Sequence, residues 1–233
     1  MKNYFKNRKI LENGNVYSKD MEHDACGVGL IASTEGKKSR RVVEYGINAL
    51  KAVFHRGAVD ADGKTGDGAG IHIEIPSDFF AEKIELTGHQ HDGSDICVGM
   101  IFLPRNNYEA QENARTLVES ELTKSNFNIY GWRQVPVNTK VLGEKANFTR
   151  PEITQVLFKN NDKSLKGKNL ERKLYESRRK IEKEVTKNRL DGFYICSLSS
   201  KSIIYKGMFL AESIADFYTD LKDERFISRF AIF

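Results

Sequence analysis

Cys26 is the residue of this sequence whose type and position could perform covalent chemistry. It begins an apolar run interrupted by glycines, residues 26–31, and follows a polar, basic segment, residues 1–24. If the peptide bond before Cys26 were cleaved, this residue would carry both a thiol and a free α-amine. Because the pKa values of these groups ordinarily lie at about 8.5 and about 7.7–8.0, the amine could accept the thiol proton near neutral pH. Gly27 and Gly29 have no Cβ, so a substrate could approach the backbone closely there.

A second interpretation of Cys26 is open from its neighbours alone. A free cysteine at the start of a strand often serves as a small buried apolar residue. In that case the thiol would be shielded from substrates and would have no role in catalysis.

Other residues that could bind a metal or a nucleotide have the wrong spacing. The three cysteines form no CxxC pair, and the five histidines show no ligand spacing on a helix, so a local metal site is not predicted. The loop at 58–65 resembles a relaxed phosphate-binding loop, but a predicted helix precedes it and a predicted strand follows it. A phosphate loop needs the opposite order, so nucleotide binding is not favoured.

Composition indicates an ordinary globular protein of 233 residues, 39% apolar and 30% charged. No apolar run is long enough to cross a membrane, and the first 24 residues lack the apolar core of a secretory signal. Three widely separated cysteines favour a reducing compartment, so we expect a cytoplasmic protein. The net charge of +5 is concentrated at 163–189, where a solvated helix face is favoured over a nucleic-acid surface.

Hydrophobic periodicity predicts strands and helices in mixed order. Strands are predicted at 26–33, 71–75, 96–103, 128–137, 152–158, 193–198, 202–208 and from 225 onward. Helices are predicted at 40–54, 78–86, 108–124, 169–188 and 211–221. The strands at 193–198 and 202–208 are separated by a short serine-rich turn, which predicts a hairpin. This order predicts an α+β fold with helices covering sheets. The apolar strand at the end of the sequence suggests truncation.

Five short motifs occur in an order that resembles one known family. They are Asp-Ala-Cys-Gly-Val-Gly at 24–29, His-Arg-Gly-Ala at 55–58, Lys-Thr-Gly-Asp-Gly-Ala-Gly-Ile at 64–71, Tyr-Lys-Gly-Met at 205–208 and Phe-Tyr-Thr-Asp-Leu at 217–221. Together, over about residues 21–233, the chain resembles the N-terminal glutaminase domain of the glutamate synthase large subunit, a class II glutamine amidotransferase.

The resemblance implies a fold and a reaction. The expected fold is an αββα sandwich of the N-terminal nucleophile hydrolase type, incomplete at its C-terminus. Residues 1–25 would be a leader that is removed, and residues 26–233 a partial amidotransferase domain. Cys26 would then attack the side-chain amide of L-glutamine, with its own freed amine as the base. A glutamyl thioester would form, ammonia would leave, and water would release glutamate.

The resemblance also suggests residues that support the site. Arg56 is expected to lie near the nucleophile, together with Gly27 and Gly57, although a structural salt bridge would account for Arg56 equally well. The loop at 64–70 is expected to form a shaped turn beside the pocket.

The cofactors and partners implied by the resemblance belong mostly to a longer enzyme. No cofactor is expected on this chain, whereas FMN and an iron–sulfur cluster are expected in the full-length protein. The expected partners are L-glutamine, the remaining synthase domains and a small electron-transfer subunit, with no nucleic acid and no membrane.

Two family motifs are expected only beyond residue 233: a His-x-Arg-x-Ser-Thr substrate clamp and an Asn-Gly pair for the oxyanion hole. Because loss of one oxyanion donor costs about 10²–10³ in rate, we expect this chain to be weakly active or inactive. The alternative is a non-catalytic module that associates through an exposed sheet edge.

Overall fold

The computed structural model describes residues 27–54 and 57–233, together with residues 6, 7, 9, 10 and 14. Its strands are β1 (Leu30–Ala32), β2 (Ala69–Glu74), β3 (Ile96–Leu103), β4 (Phe127–Gln134), β5 (Glu152–Asn160), β6 (Tyr194–Ser199), β7 (Ser202–Gly207) and β8 (Phe230–Ile232). Its α-helices are α1 (Arg40–Ala52), α2 (Ser77–Glu85), α3 (Tyr108–Lys124), α4 (Glu144–Thr149), α5 (Gly167–Lys187) and α6 (Ile214–Phe217). The expected α+β class is confirmed.

The strands form two four-stranded sheets in which all neighbours are antiparallel. Sheet one has the order β1-β8-β2-β7, and sheet two has the order β4-β5-β3-β6. Sheet two and its helices follow one another in the chain as β3-α3-β4-α4-β5-α5-β6. Apart from the short helix α4 between β4 and β5, this is a split β-α-β arrangement. We call residues 96–199 the inserted unit, because they lie in the chain between β2 and β7 of sheet one.

Alternating side chains of β3 divide the core of the inserted unit into two layers. Val98 and Met100 join the cluster that includes the apolar residues of sheet one, whereas Cys97 and Ile101 join the cluster that contains α3 and α5. Successive residues of a strand point to opposite faces, and a strand covered on both faces is apolar throughout. This explains the continuous apolar run at 96–103.

Helix α1 and the inserted unit lie on the same face of sheet one. Ile71 and Ala231 point from sheet one toward α1. A Cβ on Gly46 of α1 would lie 2.5 Å from the Cβ of Ala231, so glycine at this position lets the helix lie close to that face of the sheet. Tyr205 is the ladder partner of Ile71 and therefore shares that face. The Tyr205 hydroxyl accepts a hydrogen bond from the Gln155 amide of sheet two at 3.3 Å.

The opposite face of sheet one is only partly covered by the described residues. It carries Leu30, which is 62% exposed, and its ladder partner Ile232, which is 38% exposed. His72 and Phe230 on this face meet edge to face at 5.5 Å. The expected αββα layering therefore stays a prediction, because the described residues include no complete second layer on this side.

The predicted hairpin at 193–208 is wrong. Although only Ser200 and Lys201 separate β6 from β7, β6 pairs with β3 in sheet two and β7 pairs with β2 in sheet one. The Glu171 carboxylate of α5 accepts hydrogen bonds from the Ser200 N–H at 2.8 Å and from the Ser199 hydroxyl at 2.7 Å. These contacts fix the turn where the chain passes from one sheet to the other.

The predicted helix at 211–221 is broken into three short pieces. A 3-10 turn at Ala211–Ser213 leads into α6, and a second 3-10 turn follows at Thr219–Lys222. Tyr218 between them is extended, at φ −91° and ψ 94°, and forms a β-bridge with Val137. The backbone here pairs with the β4–β5 connection instead of continuing the helix.

Two predicted helices have slightly different bounds in the structure. The helix predicted at 40–54 ends at Ala52, so Phe54 lies past its end and is 62% exposed. The helix predicted at 78–86 begins at Ser77, and the N-cap position is taken by Pro76.

A buried polar network joins the inserted unit to sheet one. Arg133 of β4 donates to both carboxylate oxygens of Asp220, at 2.6 and 2.8 Å, and to the Gln155 amide oxygen at 2.6 Å. The Tyr205 hydroxyl donates to the same carboxylate at 3.2 Å. Burial, together with the Asp220 charge, raises the pKa of Tyr205, so this hydroxyl keeps its proton. Every member of the network therefore has a partner.

Within the described part of the chain, every helix is too short or too polar to span a lipid bilayer.

Removal of one partner of the buried ion pair is expected to destabilise the chain. Arg133→Met should lower the free energy of unfolding by about 3–5 kcal/mol, because the Asp220 carboxylate stays buried without its counter-charge. Urea unfolding followed by circular dichroism measures this change. The matched control is Arg172→Met at the exposed Arg172–Glu176 pair, for which we expect a change of about 0.5 kcal/mol or less. If the two variants lost equal stability, the network would not be what holds the two parts together.

Candidate active site

A cavity of about 550 Å³ opens beside sheet one, where several segments from distant parts of the sequence meet. Its walls come from the end of α1, the loop before β2, the segment after β7, and the two chain segments that flank β1 and β8. The lining residues are Gly27, Leu50, Val53, Phe54, Gly57, Ala58, Val59, Gly63, Gly66, Asp67, Gly68, Ala69, Gly70, Phe209, Leu210, Ala211, Glu212 and Phe233.

Two of the four residues predicted from the sequence as site residues line this cavity, namely Gly27 and Gly57. The other two, Cys26 and Arg56, lie outside the described residues. In the chain, Cys26 directly precedes Gly27 and Arg56 directly precedes Gly57, and consecutive Cα atoms are about 3.8 Å apart. The structure thus brings together the sequence neighbours of the predicted nucleophile and of the predicted supporting arginine.

The segment that leads into β1 is held by the residue that follows β8. The Gly29 N–H donates to the Phe233 carbonyl at 2.8 Å, and the Phe233 N–H donates to the Gly29 carbonyl at 3.0 Å. A Cβ on Gly29 would overlap the Phe233 ring. Glycine at position 29 therefore lets the aromatic ring lie directly on the backbone, next to Gly27 at the cavity edge.

Helix α1 ends at the cavity. The Val53 N–H still donates to carbonyls of the last helical turn, and the Gly57 N–H donates to the Phe54 carbonyl at 3.1 Å. Leu50 is buried and supplies an apolar floor, whereas Phe54 is exposed at the rim. The helix end thus supplies an apolar wall of the cavity.

The loop at 57–70 folds back on itself as a small hairpin. Val59 and Gly66 form an antiparallel bridge, and the Asp67 carboxylate accepts a hydrogen bond from the Ala58 N–H at 2.8 Å. A Cβ on Gly66 would lie 2.8 Å from the Phe209 carbonyl, so glycine allows the two walls of the cavity to touch. Much of this wall is bare backbone, which can offer N–H and C=O groups to a polar ligand.

The cavity has an acidic side. Among the described lining residues, the charged side chains are those of Asp67 and Glu212, and both residues are exposed. A ligand that carries an ammonium group would be attracted to these carboxylates. Within the described residues, no group of three or more His, Cys, Asp or Glu side chains is arranged to hold a metal ion.

The other two cysteines lie away from this cavity, inside the core. Cys97 is fully buried, and Cys196 is 4% exposed. Burial raises the pKa of the Cys196 thiol to about 11, and it also raises the pKa of Cys97. Because the thiolate is the reactive form, neither residue is suited to be a nucleophile near neutral pH.

Sequence reasoning missed one wall of the cavity. The segment 209–212 was assigned partly to a helix, and nothing in its composition indicates a pocket. The glycines at 66, 68 and 70 gave a usable signal, because closely spaced glycines before a strand often mark a close backbone approach.

Comparison with known proteins identifies the family to which this chain belongs. The model of the family described as class-II glutamine amidotransferases matches residues 26–233. The chain is 55% identical over 227 residues to the glutamate synthase (NADPH) large chain of Azospirillum brasilense, a match that covers 97% of this chain and 15% of that protein. It is 39% identical over 213 residues to ferredoxin-dependent glutamate synthase 2 of Synechocystis sp., covering 91% of this chain and 13% of that protein.

A third relative, the glutamate synthase (NADPH) large chain of Bacillus subtilis, is 37% identical over 224 residues, covering 93% of this chain and 14% of that protein. The chain thus spans only 13–15% of the length of these three relatives. The family match, by contrast, extends over most of the chain and begins at Cys26. This chain belongs to the class-II glutamine amidotransferases, a family of enzymes.

Proposed function

We propose that this domain hydrolyses the side-chain amide of L-glutamine, with Cys26 as the nucleophile. The observation that carries the proposal is a cavity of about 550 Å³ that is lined by both Gly27 and Gly57, the sequence neighbours of Cys26 and Arg56. Its volume suits a small amino acid, since ligand pockets commonly have about 300–1,000 Å³.

The reaction follows from a cysteine that has become the first residue of the chain. After residues 1–25 are removed, the α-amine of Cys26 accepts the thiol proton, and the sulfur attacks the carbonyl carbon of the glutamine amide. The same proton passes to the leaving nitrogen, so that ammonia departs and a glutamyl thioester remains. Water then attacks the thioester, releasing glutamate and restoring the thiol.

The charges around the cavity support an amino-acid substrate. Asp67 and Glu212 would attract the α-ammonium group of glutamine. The Arg56 guanidinium, which directly precedes Gly57 in the chain, would supply the positive charge that attracts its α-carboxylate. Exposed backbone of the 57–70 loop would hydrogen-bond the remaining polar atoms.

The fold we propose is an αββα sandwich that is incomplete at its C-terminal side. In this proposal sheet one is one of its two central sheets, and α1 belongs to the helical layer beside it. The partly exposed apolar face with Leu30 and Ile232 would receive the second central sheet from a longer chain. Exposed apolar residues grouped on one sheet face support this proposal.

In a full-length protein of the length of the relatives, the released ammonia would serve glutamate synthesis from 2-oxoglutarate. FMN, an iron–sulfur cluster and a small electron-transfer subunit would belong to that longer assembly. No residue described in this chain is assigned to hold them.

The three thiols are expected to differ sharply in reactivity. With iodoacetamide at pH 7, Cys26 should be alkylated in the folded protein, whereas Cys97 and Cys196 should not, because burial raises their pKa values and blocks access. Peptide mass spectrometry locates the label. In urea all three should react, which serves as the control. Labelling of Cys196 before Cys26 in the folded protein would argue against the proposed nucleophile.

Glutamine hydrolysis in the full-length protein is expected to depend on Cys26. Cys26→Ala should abolish glutamate release from glutamine, because the other two cysteines of this chain, Cys97 and Cys196, are buried. The matched control is Cys196→Ala, which removes a buried thiol and should keep the activity. We expect the 233-residue chain alone to be weakly active or inactive. Turnover by this chain at the rate of the full-length protein, lost in Cys26→Ala, would contradict that last expectation.

The first residue of the active full-length protein is expected to be Cys26. Mass spectrometry of the intact protein and of its N-terminal peptide measures this directly. An active enzyme that keeps residues 1–25 would show that the α-amine of Cys26 is not the base.

The second candidate function is a non-catalytic module that associates through its open sheet. The exposure of Leu30 and Ile232 at the β1–β8 pair favours this candidate. Size-exclusion chromatography of the 233-residue chain distinguishes the two, since a clean monomer would argue against association.

A further inference from the structure

We propose that the β4–β5 connection of the inserted unit, residues 135–151, positions the glutamine pocket, and that Thr65 and Gly143 are the positioning residues through which it acts. This inference rests on the proposed function for its kinetic consequence. Its structural part concerns how the 57–70 loop is held and can be tested independently.

The tip of the 57–70 loop is organised around the Asp62 carboxylate. One oxygen accepts hydrogen bonds from the Lys64 N–H at 2.9 Å and the Thr65 N–H at 2.7 Å, and the other accepts one from the Thr65 hydroxyl at 2.6 Å. The hydrogen bonds from Thr65, followed by that from Lys64, lower the pKa of Asp62 to about 2. The carboxylate is therefore ionised near neutral pH, as its three hydrogen bonds require.

Thr65 links this tip to helix α4 of the inserted unit. Its side chain is 3% exposed, and its hydroxyl oxygen accepts a hydrogen bond from the Ala146 N–H at 3.3 Å. The hydroxyl thus donates to Asp62 and accepts from α4, which uses both of its hydrogen-bonding roles. At the surface, the Lys145 ammonium contacts the Asp60 carboxylate at 2.7 Å, but this pair is solvent-exposed and contributes little.

Gly143, the residue before α4, allows this contact. Its backbone is ordinary for any amino acid, with φ −69° and ψ 162°. A Cβ at this position would overlap the Asp62 carboxylate and the Thr65 hydroxyl and would lie 2.6 Å from the Thr65 nitrogen. The absence of a side chain therefore matters here because of the close contact and not because of backbone strain.

The same connection also holds the opposite wall of the cavity. Val137 forms a β-bridge with Tyr218, and the Asn138 N–H donates to the Phe217 carbonyl at 2.9 Å. Phe217 in turn packs on Phe209, a cavity-lining residue, with 5.1 Å between ring centroids. The connection thus touches the supports of both walls without lining the cavity itself.

The test uses three variants of the full-length protein and one matched control. Thr65→Val removes the bridging hydroxyl, Gly143→Ala adds one methyl group at the contact, and Asp62→Ala removes the exposed carboxylate. The control is Thr149→Val, which removes an exposed hydroxyl from the same helix, where it only contacts α4 carbonyls. If Thr65→Val fails to fold, Asp62→Ala tests the same hydrogen bonds from their acceptor side.

The first measurement is hydrogen exchange of the backbone amides at 58–67. Since a buried donor that loses its partner is strongly destabilising, exchange there should rise by about 10- to 100-fold in Thr65→Val. It should rise in Gly143→Ala as well and stay unchanged in Thr149→Val. Exchange in Thr65→Val equal to that of the control would overturn the proposal, whether or not the protein hydrolyses glutamine.

The second measurement is the steady-state kinetics of glutamine hydrolysis. A displaced pocket wall should raise KM for glutamine by about tenfold or more in Thr65→Val, with kcat less affected and with the melting temperature close to that of Thr149→Val. If exchange rises while KM stays unchanged, the connection holds the loop but does not position substrate, and the proposal fails. If the unaltered protein hydrolyses no glutamine, the proposed function fails, while the exchange result still decides how the loop is held.

Discussion

The ion pair between Arg133 and Asp220 is the interaction on which the relation between the two sheets depends. It joins β4 of the inserted unit to the segment that follows β7, and Gln155 and Tyr205 complete its hydrogen bonds. A buried charge that lacks a partner is very costly, so the two parts can pack together in this arrangement only when all the polar atoms meet. Apolar contacts alone would tolerate a small displacement of one sheet relative to the other. The hydrogen-bond network does not, because its polar atoms would lose their partners.

The fixed relation between the sheets has a consequence at the cavity. The pocket wall at 57–70 is rich in glycine and is folded by its own hydrogen bonds, and contacts from the inserted unit hold it in place. The inserted unit supplies contacts at Thr65 and at Phe217, on the two sides of the cavity. A wall of bare backbone gives a substrate access to N–H and C=O groups, and the neighbouring unit supplies the rigidity that glycine lacks.

Burial makes Cys97 and Cys196 unsuited to a nucleophilic role. Cys97 and Cys196 lie within apolar clusters, where desolvation favours the protonated thiol. Cys26 precedes a cavity-lining glycine, and the family match begins at this residue. Cys26 itself lies outside the described residues, so its role stays a prediction.

The sequence by itself determined most of the helices and strands and the candidate site residues. Periodicity located α3 at 108–124 and β3 at 96–103 because each buries a regular face, and the ordered motifs pointed to the family. Tertiary structure decided what periodicity cannot express: β6 and β7 belong to different sheets, and Tyr218 interrupts a helical pattern. Strand pairing and close approaches depend on residues distant in the chain. The cavity between Gly27, Gly57 and Phe209 therefore exists only once those distant segments are packed together.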